Sequence, residues 1–286
     1  MMPMEYDEVV YKQILLNLLQ KFDHICRDYQ LRYFVYGGTA LGAVRHKGII
    51  PWDDDIDIGM PRSDYERLLM IADRWDEKEV ELKSIYNDNS YCYPFAKLYD
   101  THTTLVEQER CLYVGGIFLD IFPLDGVPDD EEKRKSLLLS YAKARRICIA
   151  LTIDNKWREC NSTKKRLYWV KCRLFSLIFN KEKWLRKCDE IAQTYKYEEC
   201  STVQNFHGIA GYREIIPKAC LGEGCILPFD GLQVIGPAMP DKYLTCIYGD
   251  YMTPPPIEKR KPHHKPFFID LERRLTLKEV LTRIGK

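Results

Sequence analysis

No run of apolar residues in this 286-residue chain approaches the twenty or so needed to cross a bilayer, so no transmembrane helix is expected. The opening Met1 to Asp7 lacks a basic start followed by an apolar segment. No signal peptide is read there, and the expected location is the cytoplasm, with the inner face of the membrane in reach. Cys-x-x-Cys is also missing: the eleven cysteines are scattered and odd in number, which argues against a disulfide framework and for buried, reduced thiols. Cys220 and Cys225 precede His263 and His264, but the spacing fits no common zinc module. Net charge is nearly absent at +1, and no nucleic-acid-binding motif accompanies the basic residues, so nucleic acid is not an expected partner. What remains is an ordinary folded composition, 45% apolar and 30% charged, long enough to bury a substantial core.

The near-zero charge hides a division. Residues 133–187 hold seventeen Lys or Arg against three Asp or Glu, a net of +14 that the rest of the chain offsets with −13. Within this block the segment Lys164 to Lys187 sets Leu167, Val170, Leu174, Leu177 and Ile178 at helical spacing among nine basic residues. Such a segment either docks on an anionic membrane surface or acidic polymer, or packs its stripe on the core and shows a solvated face. The pattern leaves both open.

Chemistry concentrates in Tyr36 to Met60, YGGTALGAVRHKGIIPWDDDIDIGM. Asp53, Asp54, Asp55 and Asp57 repel one another unless a cation or a well-solvated loop relieves them. From Asp55 the alternation Asp-Ile-Asp-Ile reads as a strand, with both carboxylates on one face, about 6.5–7 Å apart, and Ile56 and Ile58 in apolar packing. Oxygen ligands of this kind suit Mg²⁺ or Mn²⁺. An EF-hand is rejected because its sixth and twelfth places hold Ile58 and Asp64. Upstream, Leu31 to Tyr36 reads as a strand, Gly37-Gly38-Thr39 as a tight turn and Ala40 to Val44 as the start of a helix. Such a turn offers N–H groups to phosphate, and Arg45, His46 and Lys47 add positive charge.

Around this stretch, Asp7 to Asp28 has helical apolar spacing, and Ser63 to Glu66 is a capping-box pattern opening a helix to about Trp75. Short strands are read at Val80 to Ile85, Phe95 to Tyr99 and Thr103 to Glu107, with Lys97 as a phosphate contact or an ordinary edge lysine. Ile117 to Phe122 is an apolar strand ended by Pro123 and an Asp125-Gly126 turn. It contains Asp120, costly to bury without a cation, and hence the third acid of the site. Residues 200–227 read as loop, Phe229 to Leu232 as a hairpin turn, Asp241 as the cap of a short helix closing at Gly249, and Leu271 to Ile284 as a final helix. Lys259, Arg260, His263 and His264 form a basic cluster that either reaches donor phosphates or is a surface tail. The fold class is α/β or α+β, a mixed twisted sheet covered by helices.

Three blocks, taken in order, resemble one family. Gly37-Gly38-Thr39, Leu41-Gly42, Arg45 and Ile50 to Asp57 form the first, Gly116 to Asp125 the second, and Tyr248 to Met252 with Pro254-Pro255 and Lys259-Arg260 the third. Together they are similar to the LicD-type phosphotransferases, which include bacterial phosphorylcholine transferases and animal fukutin-related proteins; the match is weakest between about 130 and 200. The resemblance implies a polymerase-β-type nucleotidyltransferase core (1–130) with a basic helical insertion (131–200) and a C-terminal part completing it (201–286). It implies Mg²⁺-dependent transfer of phosphocholine from CDP-choline to a hydroxyl of a cell-surface glycan, which could be lipid-linked, releasing CMP. Asp53, Asp55, Asp57 and Asp120 would hold metal, with Asp120 also taking the acceptor proton. Gly37, Gly38, Thr39, Arg45, His46 and the C-terminal basic cluster would serve the donor phosphates, and Trp52 the quaternary ammonium. A CDP-alditol donor, a silent nucleotide- or glycan-binding protein and a true glycosyltransferase are the alternatives.

Overall fold

The structure, a computed structural model, describes residues 6–109, 112–152, 162–208, 211–262, 264 and 266–285. Helix α1 (Glu8–Asp28) starts at Asp7, whose carboxylate accepts the N–H groups of Val9 and Val10. Its Leu15, Leu18, Leu19, Phe22 and Ile25 are buried against the sheet, as their spacing predicts. Next come β1 (Phe34–Val35), α2 (Gly37–Arg45), β2 (Asp57–Pro61), α3 (Arg62–Ile71), β3 (Val80–Lys83), β4 (Ala96–Asp100), β5 (Thr104–Val106) and β6 (Phe118–Val127). The second half holds α4 (Glu131–Thr152), α5 (Thr163–Ile178), α6 (Lys181–Ala192), β7 (Thr202–Gln204), β8 (Ile216–Pro217), β9 (Cys225–Phe229), β10 (Leu232–Gly236), α7 (Pro240–Tyr248), β11 (Phe268–Asp270) and α8 (Leu277–Arg283).

The main sheet runs β1-β2-β6-β4-β3, with β7 and β8 continuing from the far end of β6. Only the β2–β6 pair is parallel; the other pairs are antiparallel. Every residue of β6 is buried, as a strand flanked on both edges and both faces requires. It is therefore a mixed sheet with helices around it, as expected.

Several local expectations fail for identifiable reasons. β6 runs through Pro123 and Asp125-Gly126 instead of ending there. The Asp120 N–H bonds Ile56 O on the β2 side, so by alternation the nitrogen of Pro123 faces the β4 edge. There β4 has already ended, at the Ala96↔Ile121 pair, and no ladder bond is lost. Asp125 is no turn residue but a buried partner of Arg62. α3 begins at Arg62, with Pro61 as its N-cap and no side-chain cap; Ser63 bonds Glu198 instead of closing a capping box. The loop expected at 200–227 contains β7 and β8. Asp241 lies inside the first turn of α7, capped by Met239, and the last helix shrinks to α8 behind a Thr276–Glu279 capping box.

The hairpin is as read: Phe229 pairs with Leu232 across Asp230-Gly231, both with positive φ. Its Asp230 carboxylate accepts the Ile49 N–H at 2.8 Å, clasping the loop that leads into the acidic stretch. The expected basic helix is two helices, separated at Asn180, whose side chain caps α6. Among the described residues no helix is long and apolar enough to cross a membrane.

Candidate active site

The acidic stretch enters β2 two residues later than its alternation suggests. Residues 53–56 are extended loop and the strand starts at Asp57, although Ile56 and Ile58 are fully buried as expected. Strand pitch therefore does not pair Asp55 with Asp57. The carboxylates that register brings together are Asp57 and Asp120, Cα partners across the parallel β2–β6 ladder, with Lys97 opposite Asp120 on β4. Asp57, Asp120 and Lys97 thus form one row across the sheet. Helix α1 holds the loop in place: Tyr11 Oη donates to Asp54 O at 3.0 Å, and Lys12 Nζ to Pro51 O at 2.8 Å.

The two glycines begin α2 directly instead of forming a separate turn. Gly37 has φ +51°, and its N–H donates to the Tyr243 hydroxyl at 2.9 Å. A Cβ at position 37 would lie 3.2 Å from Asp57 Oδ2, and one at position 38 would lie 3.0 Å from Asp53 Oδ2. These positions lack side chains because two carboxylates stand against the helix N-terminus, where first-turn N–H groups have no intrahelical acceptor and favour negative charge. Thr39 Oγ1 accepts the Asp57 N–H at 2.8 Å and so locks β2 to α2. Gly37→Ala forces an alanine into the left-handed region and is expected to lower stability by about 1–2 kcal/mol. Thermal melting beside the wild type checks this, and an unchanged melting temperature for Gly37→Ala contradicts it.

Lys97 is not an edge lysine and does not face open solvent. It is 1% exposed, its ammonium 2.8 Å from Asp120 Oδ1 and 3.0 Å from Glu107 Oε2, with the Phe118 ring centroid 3.4 Å away. Its ammonium is paired with two carboxylates, Glu107 and Asp120, which offset the cost of burying it. Burial pushes Asp120 upward in pKa while Lys97 pulls it back, and the two carboxylates outweigh burial to hold Lys97 above its ordinary value.

The C-terminal segment reaches back to the site, in two places. His264 donates its backbone N–H to Asp54 Oδ2 at 3.0 Å, and its Nδ1 lies 3.2 Å from Asp54 Oδ1 and 3.7 Å from Asp55 Oδ2. It meets carboxylates, not a phosphate pocket. Arg260 stacks over the Trp52 ring at 5.0 Å, and His46 meets that ring edge-on. Arg45 Nη1 donates to Tyr251 O at 2.6 Å, tying the end of α2 to the same segment. Lys259 is exposed on the adjoining turn, and His263 lies outside the described residues. Cys220 is buried, and among the described residues the one group with metal-ligand spacing, Asp54, Asp55 and His264, contains neither Cys220 nor Cys225.

Electrostatically the cluster is short of cations. Burial, then Asp53 and Asp120, push Asp55 up to about 7 against the pull of His264; burial, Asp55 and Asp120 push Asp57 well above the usual carboxylate range. Burial opposes charge on His264, but the bond to Asp54 and the charges of Asp55 and Asp120 outweigh it and raise the imidazole to about 9. A hard divalent cation is what such a set of carboxylates takes. Asp55 binds its proton more tightly folded than unfolded (about 7 against 3.8), so stability falls as pH rises through that window. The His264 contribution is full below 6.5 and lost as pH passes about 9. Without divalent metal the melting temperature is therefore expected to fall steadily from pH 6.5 to 9, and saturating Mg²⁺ to flatten or reverse that fall. A metal-free protein that gains stability over this range contradicts the assignment.

The sequence reading missed Glu107 as the second partner of Lys97, Tyr243 as the acceptor at Gly37, and Tyr248, whose hydroxyl lies 3.8 Å from the same built Cβ and feels Asp57 and Asp53. Tyr248 lies in the third block; Glu107 and Tyr243 carried no local signal.

A parallel strand pair carrying facing carboxylates, set at a glycine-led helix N-terminus, is an arrangement for handling phosphate with a cation. Consistent with this, the family described as LicD/FKTN/FKRP, nucleotidyltransferase domain, matches residues 30–148. The chain belongs to the LicD family of phosphotransferases. It is 30% identical over 260 residues to the lipopolysaccharide cholinephosphotransferase LicD of Haemophilus influenzae, covering 88% of this chain and 93% of that protein. Two further similarities are partial. An uncharacterised protein of Rickettsia typhi is 44% identical over 69 residues, 24% of this chain and 22% of that one. The ribitol 5-phosphate transferase FKRP of Homo sapiens is 57% identical over 30 residues, 10% of this chain and 6% of FKRP.

Proposed function

We propose that the protein transfers phosphocholine from CDP-choline to a hydroxyl of a cell-surface glycan and releases CMP. The observation that carries this reading is the row Asp57–Asp120–Lys97 beside the N-terminus of α2, with Asp53 and Asp55 on the adjoining loop. The full-length similarity to an enzyme named for cholinephosphate transfer supports the headgroup.

In this account Asp53, Asp55, Asp57 and Asp120 hold Mg²⁺ or Mn²⁺. The bound cation supplies neutralisation of the donor diphosphate and of the leaving phosphate oxygen. Asp120, beside the Lys97 ammonium that favours its ionised form, accepts the acceptor hydroxyl proton as the new O–P bond forms to the choline-bearing phosphorus. The bond from that phosphorus to the oxygen of CMP breaks, and CMP departs with the electron pair. The first-turn N–H groups of α2 at Gly38 and Thr39, and the guanidinium groups of Arg45 and Arg260, orient the phosphates, with His46, held below its ordinary pKa by burial and these two cations, as a neutral neighbour. His264 holds Asp54 and Asp55 in place until metal and donor arrive. Residues 1–130 form the catalytic core, 131–200 the basic helical segment, and 201–286 complete the core; β7 supports this division by extending β6. The site would work in the cytoplasm.

One observation favours a second headgroup. Arg260 already covers a face of Trp52, the aromatic surface that a quaternary ammonium would need, and the short FKRP segment belongs to a ribitol 5-phosphate transferase. Competition between CDP-choline and CDP-ribitol under Mg²⁺, with products separated by chromatography, decides between them. Consumption of CDP-choline with CMP as the nucleotide product supports phosphocholine transfer, consumption of CDP-ribitol alone replaces the headgroup, and CDP in place of CMP as the nucleotide product would mean that no phospho-headgroup is transferred.

A further inference from the structure

Helix α5 presents an apolar face that none of the described residues covers. Leu177 is 83% exposed, Ile178 74%, Leu167 66% and Leu174 54%, and of the helix only Cys172 is fully buried. These are the residues whose spacing marked a stripe, so the stripe is not core packing. The inner face, with Trp169, Cys172 and Phe175, is the one turned to the protein, where α5 packs on α4. At about 100° per residue the exposed apolar side chains occupy an arc of roughly 100°. Lys164 and Lys171 border it on one side, Arg166 and Arg173 on the other. No Asp or Glu occurs anywhere in α5.

Next to this face lies a cavity of about 410 Å³ whose lining includes Arg173 and Ser176 of α5, Lys181 at the start of α6, and Tyr113. Its lining contains no carboxylate. The apolar face gives no reason for a basic cavity at its border, but a phosphate group held at the depth of the helix does.

We propose that α5 is a membrane-docking helix that lies in the interface of an anionic bilayer, its apolar stripe among the acyl chains and a lipid phosphate in the Arg173–Lys181 cavity. An apolar arc bordered on both sides by basic residues is the form that interfacial helices take. Charge selects the occupant. A second copy of the chain would oppose one basic helix with another, and a nucleic acid backbone would leave the apolar arc in water, whereas an anionic bilayer satisfies both. The proposal concerns a surface apart from the carboxylate site and stands whatever the donor is.

The test is co-sedimentation of the full chain with vesicles of equal parts phosphatidylglycerol and phosphatidylcholine, beside vesicles of phosphatidylcholine alone. Binding to the anionic vesicles and not to the neutral ones is expected. Two neutralised charges in Lys171→Gln with Arg173→Gln should weaken it about thirty-fold. Leu174→Ser with Leu177→Ser, exposed and without cost to the fold, should weaken it by a similar factor. Circular dichroism confirms that the variants are folded. Equal binding to both vesicles, unchanged binding by either double variant, or no vesicle binding together with a concentration-dependent dimer lost on Leu177→Ser would each overturn the proposal.

Discussion

Asp57→Asn is expected to lower CMP formation from CDP-choline about a thousand-fold or more, and at the same time to raise the melting temperature of the metal-free protein. The two effects share one cause. Asp57 stands opposite Asp120 in the parallel ladder and against the N-terminus of α2, where burial and its acidic neighbours make its negative charge costly. The amide fills the same space without the charge, so the repulsion between strands is relieved and the fold gains. The proposed reaction loses the carboxylate on which the cation and the donor diphosphate depend, a loss of about 10³ or more. A purely structural Asp57 would give the opposite pattern, with stability down and no donor turnover to lose. Rates and melting curves on the same preparation decide it; a variant that keeps a tenth of wild-type turnover removes Asp57 from the site.

Arg62→Met is expected to destabilise the protein by about 3–5 kcal/mol, roughly 10 °C in melting temperature for a chain of this size. Arg62 opens α3 directly after β2 and is almost fully buried. Its Nε and Nη2 donate to Asp125 at 2.7 and 2.6 Å, and Nη2 also donates to Asp189 on α6 at 2.9 Å. Tyr86 and Gln193 bond the second oxygen of Asp189, and His207 lies 3.7 Å from the first. The nearby His207 and the Arg62 guanidinium hold Asp189 well below the usual carboxylate range despite burial. Methionine preserves the packing but leaves two buried carboxylates facing each other without their cation, which is the expensive way to break such a network. Because Asp125 and Asp120 share β6, the loss also loosens the strand that presents the proposed catalytic row, so turnover should fall with stability. Adding Asp125→Asn to Arg62→Met should recover part of the loss; if it makes matters worse, the charge explanation fails.

Local pattern revealed much of this molecule. The apolar spacing of α1, the Asp230-Gly231 hairpin and the burial of Ile56 and Ile58 follow from period and turn chemistry alone, and the glycines and carboxylates between Gly37 and Asp57 marked the site. Pairing between distant strands did not show in the sequence. Alternation suggested an Asp55–Asp57 clamp, and Asp55 is the strongest charge on Asp57, but alternation could not show that the strand partner of Asp57 is Asp120, sixty-three residues away, because register across β2 and β6 is set by the whole sheet. Lys97 reads as either a phosphate contact or an edge lysine for the same reason: whether a strand is central depends on what pairs with it later in the chain. Pro123 looked like a strand end, and became harmless only because β4 stops short of it. The stripe of α5 was visible as a pattern, while its exposure depended on how α4 and α5 pack.

The central claim, that the carboxylate row transfers a phospho-headgroup from a CDP-linked donor, is tested most directly by ³¹P NMR. The full chain would be mixed with CDP-choline, Mg²⁺ and surface glycan, with a chelator-treated sample beside it. The account predicts that the two diphosphate resonances disappear together, with CMP and a new glycan-bound phosphodiester growing in equal amounts only when the cation is present. Diphosphate resonances that persist for wild type under these conditions, with CDP-ribitol equally untouched, would contradict it.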